Sequence, residues 1–171
     1  MTWRISTPMA GVQPIATSDS TQNHPLGTIV RAVDDSGALG EGEFIYLKGV
    51  ANTVVGSLVS YNLAGTTTGL TTLSADTAAL TKPLAVAMSA NVASKYGWYQ
   101  ISGCATIKKT AVKVSPGVAL YQSGTTGRVM STAASQKQIQ NCVSANSATV
   151  ASATSTVLAV INRPSGPGVV I

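Results

Sequence analysis

The side chains able to do chemistry are few in this 171-residue chain: six acids, one histidine and two cysteines. Glu41 and Glu43 stand two apart, which on a strand puts both carboxylates on one face, as glycoside hydrolysis or metal binding asks of a pair. No other acid is close enough in sequence to join them, so they read as solvated acids at the start of a strand. His24 precedes Pro25 and has no serine or carboxylate at the spacing a nucleophilic triad needs, which makes it a loop residue. Cys104 and Cys142 belong to no CxxC or Cys/His cluster and read as buried thiols of a chain kept reduced. The run Gly37-Ala38-Leu39-Gly40-Glu41-Gly42 does not lead into a helix, as a phosphate cradle must. No GxSxG, P-loop, HExxH or EF-hand pattern occurs. These residues predict a protein that is not an enzyme, with no catalytic residue, no cofactor and no metal.

Charge narrows the partners. The chain carries a formal +5, yet its lysines and arginines are scattered singly apart from Lys108-Lys109 and nearby Lys113. No aromatics interleave with them as a base-stacking surface requires, so no direct nucleic-acid partner is expected, whereas a basic surface facing an acidic protein fits. Four of the acids, Asp34, Asp35, Glu41 and Glu43, fall in one short span. Met1-Thr2-Trp3-Arg4 is followed by no apolar signal region, and no run of 18 apolar residues occurs. The expectation is synthesis in a reducing cytoplasm and no membrane contact. With only 10% of residues charged, little opposes self-association, which suits a subunit of an assembly.

The elements that would position these groups are strands. Leu84, Val86 and Met88 alternate with Ala85 and Ala87, and Tyr99, Ile101, Ala105 and Ile107 alternate with Gln100, Ser102, Thr106 and Lys108. That is the apolar-in, polar-out pattern of antiparallel sheet. Further strands are read at Gly27–Val33, Glu43–Val50, Gly56–Asn62, Val118–Tyr121, Arg128–Met130, Cys142–Ser152 and Thr156–Ile161. Residues 64–69 read as a loop tip and 74–80 as a helical turn. The fold class is all-β, an antiparallel β-barrel or two-sheet sandwich over residues 27–163. An extended N-terminal arm (1–26) precedes it and a C-terminal tail (164–171) follows.

Candidate contact residues come from the arm and the aromatic positions. In the arm, Trp3, Arg4, Ile5 and Met9 lie among Pro8, Pro14 and Pro25, too apolar for a tether and too broken for a core strand. The arm either lies along a partner, with Trp3 as its largest anchor, or folds back over its own sheet. On the second strand Ile45 and Leu47 face the core, while Phe44 and Tyr46 face another strand layer, the arm or another subunit. Tyr96 and Trp98 flank a strand start, where they cap the core or form a contact.

Three strings resemble a known family: GTIVRAV (27–33), GEGEFIYLKGV (40–50), and AVAMSANVA (85–93) followed by YGWYQISG (96–103). In that order and spacing, over roughly residues 27 to 130, they are similar to the head decoration or cement proteins of tailed bacteriophages. The resemblance implies a small β-rich structural protein of the virion that binds the outer surface of the capsid, commonly as a homotrimer. Its partners would be the major capsid protein and itself, and its role would be head stabilisation by bridging neighbouring capsid subunits. A receptor- or glycan-binding β-module of a head or tail fibre is the alternative, with Tyr96 and Trp98 stacking on sugar.

Overall fold

The computed structural model describes residues 2–9, 11–63, 71–73 and 82–166. Short β-branched runs between turn residues form twelve strands, and among the described residues none is helical. They are β1 (Trp3–Ile5), β2 (Ser18–Asp19), β3 (Ile29–Asp34), β4 (Glu41–Lys48), β5 (Leu58–Tyr61), β6 (Thr71–Leu73), β7 (Lys82–Ala87), β8 (Tyr96–Lys108), β9 (Ala119–Gln122), β10 (Val129–Met130), β11 (Gln138–Ser144) and β12 (Thr156–Gly166). The order is β1-β3-β4-β8-β7-β12-β11-β9-β10, with β2 on β8 and β5 joining β6 to β7.

The all-β reading holds, but neither a closed barrel nor a two-sheet sandwich forms: the strands make one large antiparallel sheet whose ends do not meet. The reason lies in β8, 13 residues long, which changes partners along its length. Its first half pairs with β4 and briefly with β7, and its second half with β12. Gly103 sits at the changeover with φ +100°, a backbone conformation that a side chain resists. One sheet thereby bends around three apolar clusters.

Alternation assigns residues to those clusters. On β7, Leu84 and Val86 join Ile107, Leu120, Ile139 and Ile161, while Ala85 and Ala87 join Ile45, Leu47, Val59 and Tyr99 on the opposite face. On β4, Ile45 and Leu47 take this second cluster, and Phe44 and Tyr46 enter a third with Trp3, Ile15, Val30 and Trp98. Both faces of β4 are therefore covered.

Some expectations change. Gln100, expected on the wet side, is buried, and its Nε2 donates to Ser102 O (3.1 Å) and Cys104 O (3.0 Å), so its strand satisfies it internally. The strand expected at 142–152 runs instead over Gln138–Ser144. The tail expected to leave at Pro164 continues β12 to Gly166. Proline is tolerated there because the ladder is already irregular: Asn141 and Arg163 both have positive φ, and the register shifts between Gln140 and Cys142. The loop tip at 64–69, the helical turn at 74–80 and the end of the tail lie outside the described residues.

The β3–β4 turn is built on Asp34. Its carboxylate accepts from Ser36 Oγ (2.5 Å), Leu39 N (3.1 Å) and Ser36 N (3.3 Å). These bonds, the Ser36 hydroxyl foremost, hold its pKa below the ordinary 3.8. A depressed folded pKa contributes stability above the unfolded value that disappears as pH falls through the folded one. Asp34→Asn is therefore expected to be less stable than the parent at neutral pH, with the gap closing in acid, below the lowered folded pKa. Urea unfolding at the two pH values checks it, and a gap unchanged by acid would remove Asp34 from this role.

Candidate contact surface

Residues 11–26 lie over the sheet rather than away from it, and Gln13 pins them. Its backbone N–H donates to His24 Nε2 (3.2 Å), and its carbonyl accepts from Trp98 Nε1 (2.8 Å). Its Oε1 accepts from the Tyr46 hydroxyl and from Asn23 Nδ2 (both 3.1 Å), and its Nε2 donates to Thr17 O (2.9 Å). His24, which has no catalytic partner in sequence, meets Tyr46 edge-on and Trp98 at a tilt, with ring centres 5.1 and 5.5 Å away. Burial raises the Tyr46 hydroxyl's pKa, so it stays a protonated donor.

The predicted contact residues converge on this arm–sheet junction. Trp3 is 7% exposed and meets Phe44 edge-on at 4.9 Å, and Phe44, Tyr46 and Trp98 are fully buried. Tyr96 is half-buried, stacked on Tyr46 at 6.4 Å, and Lys48 Nζ stands over its ring at 5.9 Å from the centre. Ile5 packs on the same cluster, Arg4 pairs with Asp35 at 3.6 Å in solvent, and Met9 stays exposed. Of the two destinations open to the arm, the chain takes the one on its own sheet. Phe44 and Tyr46 are covered by the arm. Glu43 is clasped by Arg31 (3.3 Å) and Arg163 (3.1 Å), while Glu41 has no ion pair among the described residues.

The arm leaves one face of the β8–β12–β11 part of the sheet open. Past Gly103, Cys104, Thr106 and Lys108 alternate with buried Ala105 and Ile107, and on β12 Leu158 and Val160 alternate with buried Val157, Ala159 and Ile161. Cys104, Val160, Val143 and Ala119 sit side by side across β8, β12, β11 and β9. Val143 is 44% exposed and Val160 53%. Val55, 59% exposed, stands in the loop that borders this face through Gly56 beside Thr106 and Lys108. Trp3, Ala16 and Leu39 line a cavity of about 290 Å³ together with Gln100, Thr106 and Val55.

What this surface offers is contact. Among the described residues no three His, Cys, Asp or Glu side chains gather as a metal site. Neither cysteine is bridged, and burial pushes the Cys142 thiol up to about 12 and also raises Cys104. No protein-family model, no curated protein and no solved structure matches the chain. The open residues Val143, Leu158 and Val160 do not stand out in the sequence, although their alternation with buried neighbours is visible there. That pattern reveals which side chains share a face, and not whether anything covers it.

Proposed function

We propose that the protein is a structural virion component that binds the outer surface of a tailed-phage capsid as a homotrimer, stabilising it by bridging neighbouring major capsid proteins. The observation that supports this most is the apolar half-face carrying Leu158, Val160 and Val143, which no described segment of the chain covers. Two exposed valines on neighbouring strands, flanked by the partly exposed Cys104 and Ala119, make a surface that a partner would bury. The sequence resemblance supplies the identity of that partner. Trp98 lies in the core, which takes from the glycan-binding alternative one of its two stacking residues.

Incubating the purified protein with capsids assembled without it, then sedimenting them, tests the proposal. The expected result is stoichiometric co-sedimentation, with Val160→Asp lowering capsid affinity at least tenfold, about 1.4 kcal/mol, while the thermal midpoint holds. Folded protein left wholly in the supernatant would overturn it. Light scattering of the free protein should give three times the mass of one chain.

A further inference from the structure

All six acids lie between residues 19 and 76, and residues 82–166 hold eight lysines and arginines with no acid at all. The fold turns this asymmetry of sequence into one of space, because that stretch supplies β7 to β12 and with them the whole open half-face. Some of these cations are occupied. Arg163 is held by Glu43, and Lys109 is buried with its ammonium donating to the carbonyls of Val112 (2.7 Å), Thr110 (3.2 Å) and Ser152 (3.4 Å). Lys108, Lys113 and Arg128 make no ion pair among the described residues. Lys108 ends β8, and the contacts of the other two place their backbones near that end. Lys108 continues the Cys104–Thr106 column, Arg128 Nη1 donates to Lys109 O (3.0 Å), and the Lys113 carbonyl accepts from Ser131 Oγ (2.5 Å) beside β10.

We infer that the open half-face docks a protein surface with an apolar centre and an acidic rim, Val143, Leu158 and Val160 meeting the centre and Lys108, Lys113 and Arg128 the rim. This deepens the capsid reading by naming the partner's chemistry, and rests on that reading for the partner's identity. Charge decides against the same half-face of a second copy, since both would bring an acid-free surface. A nucleic-acid backbone would leave the exposed valines wet, because it offers phosphates and no apolar centre. An anionic bilayer takes basic and apolar residues together, but favours protruding Trp, Phe or Leu side chains that insert, whereas the exposed side chains here are Val143 and Val160, with Leu158 only partly exposed. An apolar centre with a polar rim is the anatomy of a protein interface, and opposite charge on the rim mainly sets association rate and salt dependence.

The test uses defined probes beside the capsid: a random glutamate–tyrosine copolymer, polyglutamate, a DNA duplex, and phosphatidylcholine vesicles with and without phosphatidylserine. The full chain should bind the copolymer at least fivefold more tightly than polyglutamate. Its affinity should fall several-fold as salt rises from about 50 to about 200 mM, where screening shortens the reach of the rim charges. Lys108→Glu with Lys113→Glu should cost at least tenfold for copolymer and capsid alike, and Val160→Asp should erase the preference for the tyrosine-bearing polymer. Unchanged thermal midpoints confirm that these surface variants fold. Capsid binding indifferent to salt and to the lysine changes would overturn the inference and leave the capsid reading standing. Copolymer binding as described without capsid co-sedimentation would uphold the inference and end the capsid reading. Tighter binding to DNA or to phosphatidylserine vesicles than to the copolymer would overturn the inference.

Discussion

A chain lacking residues 2–20 is expected to lose about 5 kcal/mol or more of folding stability, lowering its thermal midpoint by roughly 10–20 °C. The deletion removes Trp3 and Ile15, each buried against the sheet and worth about 2–3 kcal/mol of transferred apolar surface. It also uncovers Phe44, Tyr46 and Trp98, and takes away Gln13, the acceptor for the Trp98 indole and the Tyr46 hydroxyl. A domain of this size holds about 5–15 kcal/mol in all, so the truncated chain sits near unfolding at 25 °C. Calorimetry of the full and truncated chains measures the change. A midpoint within a few degrees of the parent would mean that the arm is not part of the core. Gln13→Ala is the gentler version, leaving the apolar anchors in place while breaking the polar pins, at a cost of about 1–3 kcal/mol.

Gly103→Val is expected to be the most damaging single change in β8, at about 3 kcal/mol or more. Two costs coincide there. The φ of +100° suits glycine alone, and a Cβ would stand 2.5 Å from the Glu41 carbonyl oxygen and 3.0 Å from Gly42 Cα, both backbone atoms. Neither neighbour can move without disturbing the β4–β8 ladder at the point where β8 passes from β4 to β12. Gly11→Ala is the control, because Gly11 also has positive φ (+70°) but open space around it, so it should lose only about 1 kcal/mol. Urea unfolding compares the two, and equal losses would show that crowding at Gly103 plays no part.

The strand pattern is legible because alternation is local. Leu84 and Val86 against Ala85 and Ala87, or Ile45 and Leu47 against Phe44 and Tyr46, declare two faces from a few neighbouring residues. Pattern and structure part where long-range placement overrides the local signal. Gln100 is polar and its position predicts water, yet it is buried beside the cavity that Trp3 lines, and its amide is satisfied by carbonyls of its own strand. Prolines in residues 1–25 mark a segment unable to join a ladder for long. The short strands β1 and β2 still pair with β3 and β8, because two or three residues between prolines suffice for an edge contact.

The sequence alone therefore determined the period-two strands and the absence of acid beyond residue 76. Only the tertiary structure decided which faces are covered. Trp98 is sealed because Gln13, 85 positions away, accepts its indole proton, while Val160 is open because no described segment of similar reach crosses β11 and β12. A side chain's facing follows from the two residues beside it. Its burial depends on a second layer brought from elsewhere in the chain, and that layer forms only where burying its apolar side chains outweighs the entropy lost in ordering the segment that carries them.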